Sequence, residues 1–192
     1  MLDFDAVRNG QVTIHELVAP LTRQDLIRLT NEIVDLERAA IEGVTDPDVT
    51  FDPVDPNAND TFGKPEEANL PWNLGHLVVH ATASSEEAAM RALSLARGVV
   101  MEGRSRYETP WREMVSAAQC FERLEESRRM CLAMLDAWPN NPHLDVTMPH
   151  GRWGTQNAIS AYLGGMMHAQ SHLEQLKNTL AQAKAAREAQ KA

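Results

Sequence analysis

Two pairs of histidines with helical spacing are the residues of this chain whose types and positions could do chemistry. His168 and His172 are four residues apart, and so are His76 and His80. Side chains at i and i+4 of an α-helix lie on the same face, about 5–6 Å apart at Cβ, so each pair can offer two imidazoles to one metal ion. A third imidazole from a facing helix would complete the capture and leave one coordination position open. That layout is typical of a catalytic metal site rather than a closed structural one.

The alternative explanation is that these histidines lie in the core and donate hydrogen bonds to backbone carbonyls. It suits a single buried histidine, but two neighbouring ones compete for few partners, and each costs free energy if left unsatisfied. Apolar residues such as Leu77 and Leu173 flank the two pairs, so both faces are expected to be buried or to line a cleft. Packing alone explains four such histidines poorly, and we expect three of them to be metal ligands.

Four stretches with apolar residues at intervals of three and four predict the helices that position these histidines. Capping residues, Pro and Gly mark their ends. The predicted helices are 22–41, 71–97, 110–138 and 155–181, with a shorter one over about 4–18.

No stretch alternates like a strand over a convincing length, so the predicted fold class is all-α, a four-helix bundle with its site between facing helices. We expect one domain over 1–192, with a core of about 21–180 and a frayed tail at 181–192.

The connection 43–70 between the first two helices has a different composition. It repeats Asp-Pro at 46–47, 52–53 and 55–56, a pair of residues that breaks helices. A long acidic loop is therefore predicted, and long loops in compact domains often act as lids or are partly disordered. The acidic residues do not follow the spacing of an EF-hand, which argues against a Ca²⁺ site.

Charge and cysteine content restrict the partners and the compartment. The net charge is −9, and an acidic protein repels phosphate backbones, so nucleic acid is not an expected partner. Cys120 and Cys131 are eleven residues apart within one predicted helix, too far for a disulfide, which fits a reducing compartment. The sequence shows no signal peptide and no apolar run long enough for a membrane span, so a cytoplasmic location without membrane association is expected.

Short motifs around the two histidine pairs carry a family resemblance. Trp72 stands at the start of the second predicted helix, His80 follows eight residues later, and His76 lies between them. The last helix carries His168-Ala-Gln-Ser-His172 and then Gln175, three residues further on.

The loop before the last helix, with Gly151, Trp153 and Gly154, completes the pattern. In these motifs the chain resembles the DinB-like superfamily of four-helix-bundle metalloproteins, over about 21–180.

The resemblance implies that His80, His168 and His172 hold the metal. His76 is additional to the family pattern and lies one turn before His80, so it is an alternative or additional ligand. The acidic loop is longer than the family pattern requires. Relatives of this kind include thiol-dependent transferases and isomerases, and they suggest a homodimer.

Four further residues are candidates for the surroundings of the metal. Gln175 lies on the face of the last histidine pair and could orient an imidazole, and Glu87 could do the same from the second histidine helix, two turns after His80. Trp72 and Trp153 flank the histidine helices and are the best candidates for contact with a ligand.

Three neutral imidazoles with an open position suit Zn²⁺ or Ni²⁺, and also Fe²⁺ or Mn²⁺, with metal availability deciding among them. Such a metal activates a water or a thiol, or polarises a carbonyl. The sequence thus predicts an enzyme that acts on a small-molecule substrate, either a hydrolase or a transferase that uses a low-molecular-weight thiol. The alternative is a bundle that binds a metal or small ligand without catalysis, its site being vestigial.

Overall fold

The computed structural model describes residues 2–60, 65–103, 109–151 and 154–190. In chain order its elements are α1 (Phe4–Arg8), α2 (Ile14–Val18), α3 (Arg23–Ala40), α4 (Asp46–Val49), α5 (Leu74–Ala96), a 3-10 turn (Trp111–Glu113), α6 (Ala117–Asp136), β1 (Met148–His150), β2 (Gly154–Gln156) and α7 (Ala158–Ala189).

The long helices α3, α5, α6 and α7 form a bundle, which confirms the predicted fold class. Both α3 and α5 pack against α6 and α7, so α3 and α5 occupy opposite corners of the bundle. The connections 41–73 and 137–157 therefore each run between opposite corners. This arrangement explains why neither is a tight turn, since short loops join only adjacent antiparallel helices.

Side-chain caps decide where the helices of the bundle begin. Asn73 accepts a hydrogen bond from the amide of His76 (2.9 Å), and Ser116 and Asn157 cap α6 and α7 in the same way. These caps satisfy amides that have no partner within the helix. The predicted starts at 71, 110 and 155 are thus too early by three to seven residues, because the prolines and Thr155 precede the real caps.

The N-terminal segment forms two short helices where one was predicted over 4–18. Gly10 has a φ of +70°, a conformation that ends α1, and Thr13 then starts α2 with a reciprocal capping box to Glu16. Two short strands accompany the helices. In the loop before α7, β1 and β2 pair antiparallel, with Met148 opposite Gln156. Three-residue strands are too short to show an alternating pattern.

The last helix is longer than its sequence pattern indicated. We expected it to end near residue 181 in a frayed tail, but α7 continues to Ala189, and Ala183 is only 2% exposed. The Ala, Lys, Glu and Gln of this segment are strong helix formers, and the segment packs on the acidic connection. That connection, predicted as a loop, contains the short helix α4.

Among the described residues, no helix is both long and apolar enough to cross a lipid bilayer.

A glycine sets the closeness of α5 and α7. A Cβ added at Gly165 would lie 2.7 Å from Cβ of Ala88 and 3.1 Å from Cα of Ser85. These are backbone or near-backbone atoms that cannot rotate away, so the two helices approach this closely only because residue 165 has no side chain.

The bundle core also holds a carboxyl group. Glu37 of α3 is 3% exposed and lies beside a small cavity with Ser127 and Tyr162. Burial raises the pKa of Glu37 to about 8, although the nearby Arg128 guanidinium opposes this shift. The hydroxyl of Tyr162 is hydrogen-bonded to that of Thr30 at 2.8 Å.

Gly165→Ala should destabilise the protein by about 1–3 kcal/mol, because the new methyl group overpacks the contact with α5. Gly164→Ala is the matched control: its Cβ would meet only a side-chain nitrogen of Gln156 at 3.9 Å, so the better helix propensity of Ala should make it neutral or slightly stabilising. Urea denaturation of the three proteins measures the difference. Equal stabilities for both variants would contradict the close-packing argument.

Glu37→Gln should flatten the dependence of stability on pH. Between the usual carboxyl pKa of 4.5 and about 8, the folded state holds a proton at Glu37 that the unfolded chain releases, so the wild type loses stability as pH rises. The loss is at most about 1.4 kcal/mol per pH unit, and it levels off above the folded pKa. Denaturation midpoints of both proteins at pH 5, 6, 7 and 8 test this expectation. Parallel curves would show that Glu37 is ionised in the fold.

Candidate metal centre

Helices α5 and α7 carry the histidines and face each other in the bundle. Because Asn73 caps α5, His76 and His80 fall in its first two turns, and both are buried. On α7, His168 follows Gly165 by three residues, so the close approach of the two helices lies one turn before it.

Three ring nitrogens converge between these helices. Nε2 of His168 lies 2.8 Å from Nε2 of His80 and 3.3 Å from Nε2 of His172. One ligand nitrogen from each of the three rings lies within 4.8 Å of the others, and among the described residues this is the group that could hold a metal ion. The structure thus brings together the three histidines that the resemblance implied.

The spacing of these nitrogens suits a metal. Two imidazole nitrogens bound tetrahedrally to Zn²⁺ at about 2.0–2.1 Å are about 3.3 Å apart. The separation between His168 and His172 matches this value, and the one between His168 and His80 is about half an ångström shorter. One hydrogen between these nitrogens serves only one of the two contacts at a time, whereas a cation between the rings would take a lone pair from each ring.

Gln175 contacts one of the three rings. Its Oε1 lies 2.9 Å from Nδ1 of His172. Because an amide oxygen only accepts hydrogen bonds, this contact suits the tautomer with the hydrogen on Nδ1, in which the Nε2 lone pair of His172 is directed at the other two rings. This contact is the one expected of a residue that orients a metal-binding imidazole.

His76 has a different environment from the other three. Its ring stacks on Trp111, parallel at a centroid distance of 4.9 Å, and packs at a tilt of 33° against Trp72 at 4.6 Å. It is not part of the group of converging nitrogens. The geometry therefore favours His80 over His76 as the ligand from α5.

Trp72 connects the two environments. Its ring centroid lies 4.4 Å from that of His80 and 5.8 Å from that of His172, so it packs against two of the converging imidazoles. Glu87 forms an ion pair with Arg91 at 2.7 Å, and its role beside His80 stays a prediction. Trp153 lies outside the described residues.

A cleft of about 200 Å³ opens beside the converging rings. Its floor includes Trp72, His172 and Gln175, and its wall is the segment 55–60 of the acidic connection with Leu70. The sequence indicated that this connection could act as a lid, but it could not show which part of it reaches the histidines.

Trp111 and Arg112 are the site residues that sequence reasoning missed. The guanidinium of Arg112 lies 4.1 Å from the ring centroid of Trp111 and pairs with Glu67 at 2.6 Å. This contact links the 3-10 turn to the acidic connection and covers His76. The sequence signals this contact only by the adjacent Trp111 and Arg112, and nothing in these two residues indicates that they pack on His76 and pair with Glu67.

Neither cysteine is a nucleophile. Both are buried, and burial raises the pKa of Cys120 and of Cys131 to about 12. A thiol with such a pKa carries almost no thiolate at neutral pH.

Comparison with known families finds one match: the model of the DinB superfamily covers residues 14–176. Neither the curated proteins nor the solved structures give a match. The matched range contains both histidine helices and ends one residue after Gln175.

Alanine substitution should separate ligands from neighbours. His80→Ala, His168→Ala and His172→Ala should each lose stoichiometric metal, because two imidazoles do not replace three. His76→Ala should keep most of the metal, since its ring lies between the two tryptophans. Metal content of the tag-free proteins, measured by plasma mass spectrometry, gives the answer. Loss of metal in His76→Ala with retention in His80→Ala would make His76 the ligand from α5.

Proposed function

The chain belongs to the DinB superfamily, and from this membership and the site geometry we propose that it is a metal-dependent enzyme. Its metal is a divalent transition ion held by His80, His168 and His172. It acts on a small polar molecule, as a hydrolase or as a transferase that uses a low-molecular-weight thiol.

The observation that supports this proposal most strongly is the convergence of three imidazole nitrogens at the edge of a cleft. Three protein ligands leave a position open, and the cleft gives a small molecule access to it. When bound, the metal would supply a Lewis acid that lowers the pKa of a water or thiol, or polarises a carbonyl. Imidazole ligands suit Zn²⁺ and Ni²⁺ best, and also Fe²⁺ or Mn²⁺.

The surrounding residues have separate roles in this proposal. Gln175 keeps the lone pair of His172 directed at the metal, and Trp72 restricts the rotation of the His80 and His172 rings. The cleft wall carries the carboxylates of Asp55 and Asp60 and the side-chain amides of Asn57 and Asn59. Such a lining exchanges hydrogen bonds with a polar substrate and gives little burial to an apolar one.

A thiol co-substrate fits the chemistry of the chain. Because Cys120 and Cys131 are buried with a raised pKa, an attacking thiolate would have to enter through the cleft. A hydrolytic reaction needs only water and uses the same three ligands, so both reactions belong to the proposal.

A second candidate function is metal or ligand binding without catalysis. It is favoured by the carboxylates of α5 after His80, which are paired with arginines: Glu86 with Arg123, and Glu87 with Arg91. Both carboxylates are thus already engaged with a guanidinium, whereas a general base has to lie within hydrogen-bond reach of the proton it takes.

The test combines metal content with turnover. The tag-free wild type should bind about one transition metal per chain. It should hydrolyse 4-nitrophenyl acetate, or conjugate glutathione to chlorodinitrobenzene, faster than the His168→Ala variant does. Lys177→Ala, an exposed change on the same helix, is the control for nonspecific loss.

The outcomes separate the two candidates. One metal per chain with no difference in turnover between wild type and His168→Ala would favour the non-catalytic binding protein. No metal before or after dialysis against Zn²⁺ or Ni²⁺ would overturn the metal-dependent enzyme.

A further inference from the structure

The C-terminal part of α7 continues beyond the histidines and beyond the residues that match the family. The match ends at 176, whereas the helix runs to Ala189. At a rise of about 1.5 Å per residue, the additional turns extend nearly 20 Å past the match. Thr179, Leu180 and Ala183 of this extension are buried, so it is packed against the rest of the chain.

Three side chains of this extension bond to the acidic connection. Gln182 holds both backbone groups of Val54: its Oε1 accepts from the amide at 2.9 Å, and its Nε2 donates to the carbonyl at 3.3 Å. Lys184 donates to the carbonyl of Glu42 at 3.1 Å. The extension thereby fixes the connection at two places, one on each side of α4.

The third side chain, that of Arg187, forms an ion pair with a buried carboxylate. Arg187 donates to the carboxylate of Asp48 at 2.6 Å, and Asp48 is only 2% exposed. The same guanidinium nitrogen reaches the hydroxyl of Thr45 at 2.5 Å. Since Asp48 also accepts from the amide of Thr45, Arg187 holds the capping box that starts α4.

The wall of the cleft begins at the residue after the Val54 contact. Asp55 forms a turn in which its carboxylate accepts from the amide of Asn57 at 2.9 Å and its carbonyl accepts from that of Ala58. The wall then continues to Asp60 opposite His172 and Gln175. The same helix therefore carries His172 on the floor of the cleft and, nearly three turns later, the side chain that holds its wall.

From these contacts we propose that Gln182 is a positioning residue for substrate recognition. By fixing Val54 it sets the distance of the wall 55–60 from the histidines, and with it the size of molecule that the cleft accepts. Lys184 and Arg187 hold the connection further back in the chain, at Glu42 and around α4, before the Val54 contact. The link to substrate rests on the proposed function, but the link between Gln182 and the wall does not.

Gln182→Met tests the link to the wall, because Met keeps the side-chain length and helix propensity and removes both hydrogen bonds. Amide hydrogen exchange of the metal-free protein should become about three- to tenfold faster at Val54 and along 55–60. The control Glu188→Gln, an exposed change on the same helix, should leave these amides unchanged. Unchanged exchange in Gln182→Met would overturn the proposal.

Thiol binding to the cobalt-loaded protein tests the link to recognition. The sulfur-to-cobalt charge-transfer absorption band reports the binding of a thiol to the metal. Two thiols are compared: 2-mercaptoethanol, which is too small to reach the wall, and glutathione, which is large enough to contact it. Gln182→Met should weaken the binding of glutathione about threefold or more. The affinity for 2-mercaptoethanol and the cobalt stoichiometry should stay unchanged. Equal changes in the affinity for both thiols would show that Gln182 has only a structural role and would overturn its role in recognition.

The two failures are distinguishable. A wild type that binds no cobalt contradicts the proposed function and with it the role in recognition, while the exchange measurement still decides whether Gln182 holds the wall.

Discussion

The close contact between α5 and α7 at Gly165 is the constraint on which the site depends. Two helices that cross with ordinary side chains between them lie 8–10 Å apart, and imidazoles from both would reach each other only at some positions. Here the missing side chain lets α7 settle against Ser85 and Ala88, one turn before His168. The 2.8 Å separation of the His80 and His168 nitrogens follows from that contact.

The site is buried on one side and open on the other, and different parts of the chain provide the two sides. The packed rings of Trp72, His76 and Trp111 cover the inner side. The acidic connection forms the outer wall, held by the end of α7. A single helix thus carries two of the converging histidines, the glutamine that contacts one of them, and the anchor of the wall.

The long-range pattern of the fold could be predicted from the sequence, because apolar residues at helical spacing identify α3, α5, α6 and α7. The two histidine pairs identified the site for the same reason, since i, i+4 spacing fixes a common face.

Helix ends were less predictable: prolines at 71 and 110 precede the caps Asn73 and Ser116, and the polar extension after 181 is helical because it packs on another segment. The choice between His76 and His80 needed the partner helix, since both lie on one face of α5. The wall 55–60 and the role of Gln182 depend on contacts between residues more than 110 positions apart, which no local pattern encodes.

The connections 41–73 and 137–157, which run between opposite corners of the bundle, affect the order in which the chain folds. His80 and His168 are 88 residues apart in sequence, and α6 and both strands lie between them. Contacts at such separation form late, because closing a long loop costs entropy before the contact repays it. The three imidazoles therefore meet only when α7 has docked onto α5, and an unfolded or half-folded chain offers a metal no more than one pair at a time. Metal binding would then follow assembly of the bundle. The bound ion would cross-link α5 and α7 and slow their separation.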